Sequence, residues 1–372
     1  MRHLALPVVL LAALALAACG TAKADAYFHI TDLGTLGGSY SRATGITADG
    51  AVVGESENES YETHAFQWSE GAMTDLGTLT GGTYSGAVGT NSSGDIVGYS
   101  EDEYGNIRPF LYSGGVMTDL GTHGGSYGEA YAVNASGQVV GYASTTDDWE
   151  EHAFLWEDGT MTDLGTLGGW VSVAYGINDS GTVVGYSYDA DDYRRAFIYQ
   201  DGVMSALPDL GGDYSVATSI NNSGLITGYS SLPSSPTIIH AFLGDANGAT
   251  DLGTLGGSVS YGQCVNYYGH VVGRSLNASS LYRAFLWDGE NMVDLNSLID
   301  PTLGWTLTSA EAINRHGWIV GTGTINGETH AYRLEWLAPE PSTWALMLAG
   351  LGGGAFWQWR RRRGVGRSMV QG

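Results

Sequence analysis

The chain has 372 residues, with 39 acidic against 15 basic side chains and a formal net charge of −24. Arg2, Lys23, Arg360–Arg363 and Arg367 lie near the two ends, so residues 27–337 hold 8 Arg, no Lys and 37 acids (39 less Asp25 and Glu340), a net of 8 − 37 = −29. That balance excludes nucleic acid as a partner, because phosphate binding requires positive charge. The 2 Cys, one of them near the N-terminus, exclude a disulfide framework in the body of the chain.

Residues 1–26 read as a helical signal peptide. Arg2 precedes the apolar run "LALPVVLLAALALAA", which is short for a membrane span. "AKA" at Ala22–Ala24 and "ADA" at Ala24–Ala26 suit ordinary signal peptidase. "LAAC" at Leu16–Cys19 resembles a bacterial lipobox, which would make Cys19 a lipidated N-terminus. The two alternatives both stand.

From Asp32 onward the chain repeats itself. "DLGTLGG", or a worn copy, begins at Asp32, Asp75, Asp119, Asp163, Asp209, Asp251 and Asp294, in steps of 43, 44, 44, 46, 42 and 43 residues. A period of this size predicts a propeller or a solenoid. Each copy reads as short strands rich in Val, Ile, Tyr and Phe, bounded by Gly, Asn, Asp or Ser. We name them A ("xAxGIN"), B ("GxVVGxS"), C ("HAFLW") and D ("GxMTDLG"). An "N-x-x-G" turn joins A to B at Asn91–Gly94, Asn134–Gly137, Asn178–Gly181, Asn221–Gly224, Asn266–Gly269 and Asn314–Gly317, with Thr47 replacing Asn in the first copy. Asn bonds its own backbone at a turn start, and Gly supplies φ > 0 at its end.

Counting strands gives the architecture. There are seven A, seven B and seven C strands, but only six D strands follow a C strand, because the last copy stops at "HAYRLEW", Trp336. The missing D strand is Tyr27–Gly34, ahead of the first A strand. The expected fold is all-β: a seven-bladed β-propeller of four-stranded blades over residues 27–337, its N-terminal strand completing the last blade. Radial closure leaves only short edges exposed. About 310 residues are ample for one large all-β core. Cys264 takes the slot held by Gly45, Gly89, Ala132, Gly176, Ser219 and Ala312 in the other copies, which reads as a small core residue.

Propeller geometry sorts the connections onto two faces. The A–B and C–D turns are tight; the D–A and B–C loops are long and variable, so their face is the expected working surface. Four D–A loops place Tyr at one position: Tyr40, Tyr84, Tyr127 and Tyr214; Trp170 stands one residue earlier in its copy. These five are the candidate ligand-binding residues, since aromatic side chains anchor binding and stack on sugars. A wedge between neighbouring blades is the alternative for the tyrosines. The B–C loops are acidic in the first four copies only, and Glu101, Asp102, Asp147, Asp148, Asp189 and Asp191 are weak candidates for Ca²⁺, though none lies in an EF-hand pattern. No other cofactor is expected.

The His or Arg that opens each C strand and the Asp of "DLG" fall at one side of each blade, as pairs tying C to D. A ring of equivalent pairs is a poor catalytic arrangement. No nucleophile motif, P-loop or dinucleotide fingerprint is present, so no catalytic residue is assigned and the chain is expected not to be an enzyme.

The C-terminal segment, residues 338–363, contains Pro339, Glu340 and Pro341, then 16 residues from Trp344 to Trp359 that are mostly apolar, then Arg360, Arg361, Arg362 and Arg363. A short tail, 364–372, follows. The segment closely resembles the PEP-CTERM sorting signal of Gram-negative bacteria. The resemblance implies a C-terminal membrane segment held transiently in the inner membrane, an exosortase-type sorting enzyme as partner, and delivery to the cell surface or extracellular matrix. The apolar stretch is short for a bilayer core, and the Arg cluster would stay cytoplasmic. The repeats resemble the HAF-repeat family of bacterial extracellular proteins, through His64-Ala65-Phe66, His152-Ala153-Phe154 and His240-Ala241-Phe242 and the related Arg195-Ala196-Phe197, Arg283-Ala284-Phe285 and His330-Ala331-Tyr332; Arg108-Pro109-Phe110 departs from the pattern. That resemblance implies secretion and a scaffold but no activity. The expected function is non-catalytic binding of an extracellular matrix component, polysaccharide first. The alternatives are a Ca²⁺-bridged structural adhesin and an extracellular glycan-active enzyme using paired carboxylates.

Overall fold

The B strands explain the architecture. In the first repeat Val52, Val53, Gly54, Glu55 and Ser56 are all buried, on both faces of the strand. Residues facing opposite ways can both be buried only where sheets cover the strand from either side. The computed structural model describes residues 27–233 and 235–337. The leader with Cys19 and the segment with Pro339, Glu340, Pro341 and Arg360–Arg363 lie outside the described residues. Within them the structure is all-β, apart from two short 3-10 turns at Leu295–Leu298 and Pro301–Leu303. No helix among the described residues is long and apolar enough to cross a membrane.

Strands pair in antiparallel groups in chain order. In the first repeat, Gly37–Ile46 pairs with Val52–Asn58, that with Thr63–Ser69, and that with Ala72–Gly77. The same A–B–C–D order recurs through Met292–Asp294. The last group holds Thr306–Ile313, Ile319–Ile325 and Glu328–Trp336, and Phe28–Asp32 pairs with its outer strand. Leu33 N donates to the Ala331 carbonyl at 3.1 Å, and Nδ1 of His330 lies 2.9 Å from the Asp32 carboxylate. The two ends of the repeat region are thus joined.

Three devices connect neighbouring groups. The first is a ring of amides. Each turn Asn uses Oδ1 to accept two backbone N–H groups of its own turn, as Asn134 does from Ser136 and Gln138. Its Nδ2 donates to the backbone carbonyl at the same position of the next repeat. The links run Asn91 to Asn134, Asn134 to Asn178, Asn178 to Asn221, Asn221 to Asn266, Asn266 to Asn314 and Asn314 back to Thr47, at 2.8–3.5 Å. The A strands therefore surround a common axis. The turn ends in a left-handed Gly, such as Gly94 at φ 86°, where a Cβ would be strained.

The second device is a serine. The N–H of the C-strand Ala donates to a Ser hydroxyl of the next repeat: Ala65 to Ser85, Ala153 to Ser172, Ala196 to Ser215, Ala241 to Ser260 and Ala331 to Ser41, at 2.8–3.0 Å. The third is apolar. Phe66, Phe110, Phe154, Phe197, Phe242, Phe285 and Tyr332 are all fully buried. Phe154 packs in a cluster with Val97 of the preceding repeat and Val139 of its own. Gly54 of the B strand makes room, because a Cβ there would sit 1.9 Å from the Arg42 carbonyl oxygen and 2.9 Å from the Phe66 ring. Cys264 packs beside two such clusters, and burial pushes its thiol pKa up, which keeps it unreactive.

Candidate functional site

The D–A and B–C loops lie together on one face. Ser39 N donates to Glu57 Oε2 at 3.2 Å, and Ser126 N to Asp148 Oδ1 at 2.7 Å. From that face inward, the axis is lined by A-strand residues and by the residue that follows the buried Gly of each B strand. That B-strand residue is Glu55, Tyr99, Tyr142, Tyr186, Tyr229, Arg274 and Thr322 in successive repeats.

These side chains form a belt of two connected runs, Tyr40 to Tyr99 and Tyr127 to Tyr282, that meet at a shared cavity. Tyr40 donates to Glu55 Oε1 at 2.9 Å, and Tyr99, from the next repeat, to Oε2 at 2.7 Å. Tyr84 stacks on Tyr99 with ring centroids 5.6 Å apart. In the third repeat Tyr127 and Tyr131 donate to the two oxygens of Glu129, at 2.7 and 2.9 Å. Tyr131 packs on Tyr142 and on Tyr175, and Tyr175 on Tyr186. The Arg194 guanidinium lies 4.4 Å over Tyr186 and donates to Tyr188 and Tyr214. Trp170 stacks on Tyr188 at 5.6 Å and is 52% exposed. Tyr214 meets Tyr229, Tyr229 meets Tyr261, and Arg274 lies 5.1 Å over both Tyr261 and Tyr282.

Burial first, and then the charge of Glu55, raises the phenol pKa values of Tyr40 and Tyr99. Tyr127 is pushed up to about 12. Tyr40, Tyr99 and Tyr127 therefore stay neutral donors at any physiological pH. Glu151, at the start of a C strand, is raised by burial and by the charge of Glu129. A cavity of about 380 Å³ opens among Glu55, Glu129, Tyr84, Tyr99, Tyr127 and Tyr131.

The structure places the sequence candidates as follows. Tyr40, Tyr84, Tyr127, Trp170 and Tyr214 all join the belt. The rings of Tyr84, Tyr127, Trp170 and Tyr214 pack on B-strand tyrosines, and the hydroxyls of Tyr40, Tyr84, Tyr127 and Tyr214 meet Glu55, Tyr99, Glu129 and Arg194; the Tyr214–Arg194 bond crosses from one repeat to the next. The acidic loop residues have local partners. Glu101 accepts from Thr83 N and Oγ1, which holds its carboxyl below the usual range. Asp102 accepts from Tyr104 N and Asn106 N, Asp148 from Ser126 N and Ser144 Oγ, and Asp189 from Asp191 N and Tyr193 N. Asp147 and Asp191 sit exposed on the same loops. Among the described residues no group of three or more His, Cys, Asp or Glu could hold a metal ion. The His–Asp pairs tie strand C to strand D, as in His64–Asp75 and His152–Asp163 at 2.9 and 2.8 Å.

Sequence reasoning missed the B-strand tyrosines and the axis-facing Arg42, Glu129 and Arg194. The available signal was "GYS" itself: Tyr99, Tyr186 and Tyr229 recur at one B-strand position, between a buried Gly and a buried Ser. Alternation points them away from the neighbouring core residues.

Comparison with known proteins bears first on the C-terminus. Residues 337–363 match the PEP-CTERM protein-sorting motif. The motif indicates export and surface sorting by an exosortase-type system. No curated protein matches the chain. Among solved structures, a puromycin-hydrolyzing peptidase from Mycobacterium tuberculosis is similar at TM-score 0.51 and 13% identity, over 86% of this chain and 55% of that one. TolB from Acinetobacter baumannii is similar at TM-score 0.43 and 13% identity, over 65% and 63%. An Aleuria aurantia lectin, solved with α-methyl-L-fucoside, gives TM-score 0.36 and 13% identity, over 68% and 90%. The present chain thus spans less than two thirds of the length of the first two. At these identities the likeness concerns fold alone: all-β, several sheets, propeller-like.

Proposed function

We propose that this chain is a surface-sorted, non-catalytic, seven-bladed propeller of HAF-type repeats that binds an extracellular polysaccharide at its tyrosine-lined axis. The observation that carries the reading is the tyrosine belt, in two runs, Tyr40 to Tyr99 and Tyr127 to Tyr282, that meet at an open cavity of about 380 Å³. Rings stack on the apolar faces of sugars, while phenols, carboxylates and guanidinium groups bond their hydroxyls. Support for seven blades comes from the amide ring, which visits seven positions, six Asn and Thr47, before it closes. The test is binding to an array of neutral and charged polysaccharides, with Tyr84→Ala/Trp170→Ala as the control. Retention of saccharide by the parent and not by the double variant supports the site; no binding by the parent removes the reading.

One observation favours a second reading, a glycan-active enzyme. Burial and the charge of Glu129 raise the Glu151 carboxyl, and a raised carboxyl is the kind of group that serves as a general acid. Release of reducing ends from an array polysaccharide, abolished by Glu151→Gln, would establish it in place of simple binding.

A further inference from the structure

Every A strand bulges at the same point on the axis. Its pairing with the B strand skips one residue there. In the first five repeats that residue is Thr44, Val88, Tyr131, Tyr175 and Thr218. A bulge re-aims a side chain, and the position is used in two ways. Tyr131 and Tyr175 put a ring on the axis. Their centroids lie 4.9 Å apart, and each packs on the B-strand tyrosine of its own repeat, Tyr142 or Tyr186. Thr44 and Thr218 instead donate to a carbonyl of the next repeat, Ala87 at 2.9 Å and Gly262 at 2.8 Å.

Val88 does neither, having no ring to stack and no hydroxyl to donate. Its repeat also carries Gly86 where the first and third carry Arg42 and Glu129. Tyr99 requires that glycine: a Cβ on Gly86 would lie 2.5 Å from Cζ and Oη of Tyr99, whose hydroxyl bonds Glu55. The second repeat therefore leaves a slot on the axis, and the belt breaks there, between Tyr99 and Tyr131. The slot is the cavity of about 380 Å³, lined by Val88, Tyr99 and Tyr131 together with Arg42, Glu55 and Glu129. Small-molecule sites measure about 300–1,000 Å³. The polar lining is of mixed sign. Glu55 accepts from Tyr40 and Tyr99, and Glu129 from Tyr127 and Tyr131, so each carboxylate keeps lone pairs to spare. Arg42 adds a guanidinium whose ionic partner is Glu311 at 3.6 Å. An anion in the cavity would meet two carboxylates, and an ammonium would meet Arg42. Hydroxyl groups, which both donate and accept, suit all three.

We propose that this slot holds one neutral pyranose unit of a bound polysaccharide, seated on the axis where the second repeat lacks a tyrosine. This rests on the glycan-binding reading and narrows its place and its sugar class. The apolar face of the sugar packs against the rings of Tyr99 and Tyr131, as a tyrosine at position 88 would. Its hydroxyls donate to Glu55 and Glu129 and accept from Arg42. A uronic acid is repelled by the two carboxylates, and an amino sugar by the guanidinium.

The experiment is calorimetry of the intact protein with hexamers of glucose, galactose, mannose, galacturonic acid and glucosamine. The best neutral hexamer is expected to bind at least about ten-fold more tightly than either charged one. Val88→Tyr fills the slot as Tyr131 and Tyr175 fill theirs. It is expected to melt no lower than the parent while losing at least about ten-fold in affinity for that hexamer. Should Val88→Tyr fail to fold, Val88→Leu, one methylene larger than the parent, decides, with an expected loss of about three-fold. Unchanged binding by a folded Val88 variant overturns the slot and leaves glycan binding elsewhere on the belt standing. A charged hexamer bound as tightly as the best neutral one overturns the neutral assignment. Absence of binding to all five removes the subsite, and absence on the wider array as well removes the glycan reading itself.

Discussion

Asn314 Nδ2 donates to the carbonyl of Thr47, 267 residues earlier in the chain, at 3.0 Å. This bond closes the amide ring, but Thr47 cannot pass the link on, since its hydroxyl serves its own turn through Ala51 and Asp49. Thr47→Asn therefore supplies the seventh donor, aimed at the Asn91 carbonyl, while its Oδ1 takes over the turn as in six other copies. The expected gain is about 0.5–1 kcal/mol in urea unfolding, the net worth of one hydrogen bond. Asn134→Asp is the converse. It keeps the turn acceptor for Ser136 and Gln138 but loses the donor to Asn178, and costs about 1–2 kcal/mol.

The seam between the second and third repeats carries a compensated pair. Pro109 replaces the C-strand Ala and has no N–H to give; Gly128 replaces the Ser that would accept it. A Cβ on Gly128 would lie 3.2 Å from Pro109 Cδ and 2.9 Å from the Tyr142 carbonyl oxygen. Gly128→Ser alone is expected to destabilise through crowding, and Pro109→Ala alone through an amide left without its hydroxyl. The double variant restores the staple found at Ala65–Ser85. A double-mutant cycle should show a favourable coupling of about 1 kcal/mol; additive effects would mean that the two sites are independent.

His123 stands where Leu36, Leu79, Leu167, Leu210 and Leu255 stand in other copies, and its buried Nε2 has no partner. Burial holds its pKa below the ordinary histidine value. Protonation is thus easier in the unfolded chain, and stability falls as pH drops from about 6.5 through the folded pKa. His152 has the opposite sign. Its pair with Asp163 raises it, so its contribution is full below about 6.5 and is lost as pH rises through its folded pKa. His123→Leu should gain about 1 kcal/mol at neutral pH. In melting curves from mildly acid to mildly alkaline buffer, its advantage over the parent should widen towards acid. A constant offset would place the His123 titration elsewhere.

What was legible in the sequence, and what was not, follows from which contacts each residue makes. Phe154 and Asn134 repeat because every unit needs the same core anchor and the same turn, so the spacing exposed both. The second role of Asn134 was harder to see, although Asp or Ser would serve the turn alone and neither replaces Asn in the six copies that keep it. The belt was legible only in part. Tyr40, Tyr84, Tyr127 and Tyr214 stand out in glycine-rich loops, whereas Tyr99 and Tyr186 are hidden inside strands where aromatic residues are ordinary strand formers. Glu55, Glu129 and Arg194 differ from copy to copy, and only the closed ring brings them to one axis.

Tyr61 offers a direct test of strain on the working face. It lies at the tip of the first B–C hairpin with φ 63° and is 80% exposed. Other copies put Gly105, Asp148, Asp192, Ser280 or Asn326 in the left-handed conformation on the same loop. These are small or polar residues that tolerate it better, and a bulky side chain there costs stability without burial in return. Tyr61→Asn is expected to raise stability by about 0.5–1 kcal/mol. If the exposed ring also touches saccharide, the same variant binds its best array ligand several-fold more weakly while melting higher. A stabilised variant with unchanged binding would confine the contact surface to the belt, and an unstabilised one would mean that the loop relaxes around Tyr61 at no cost.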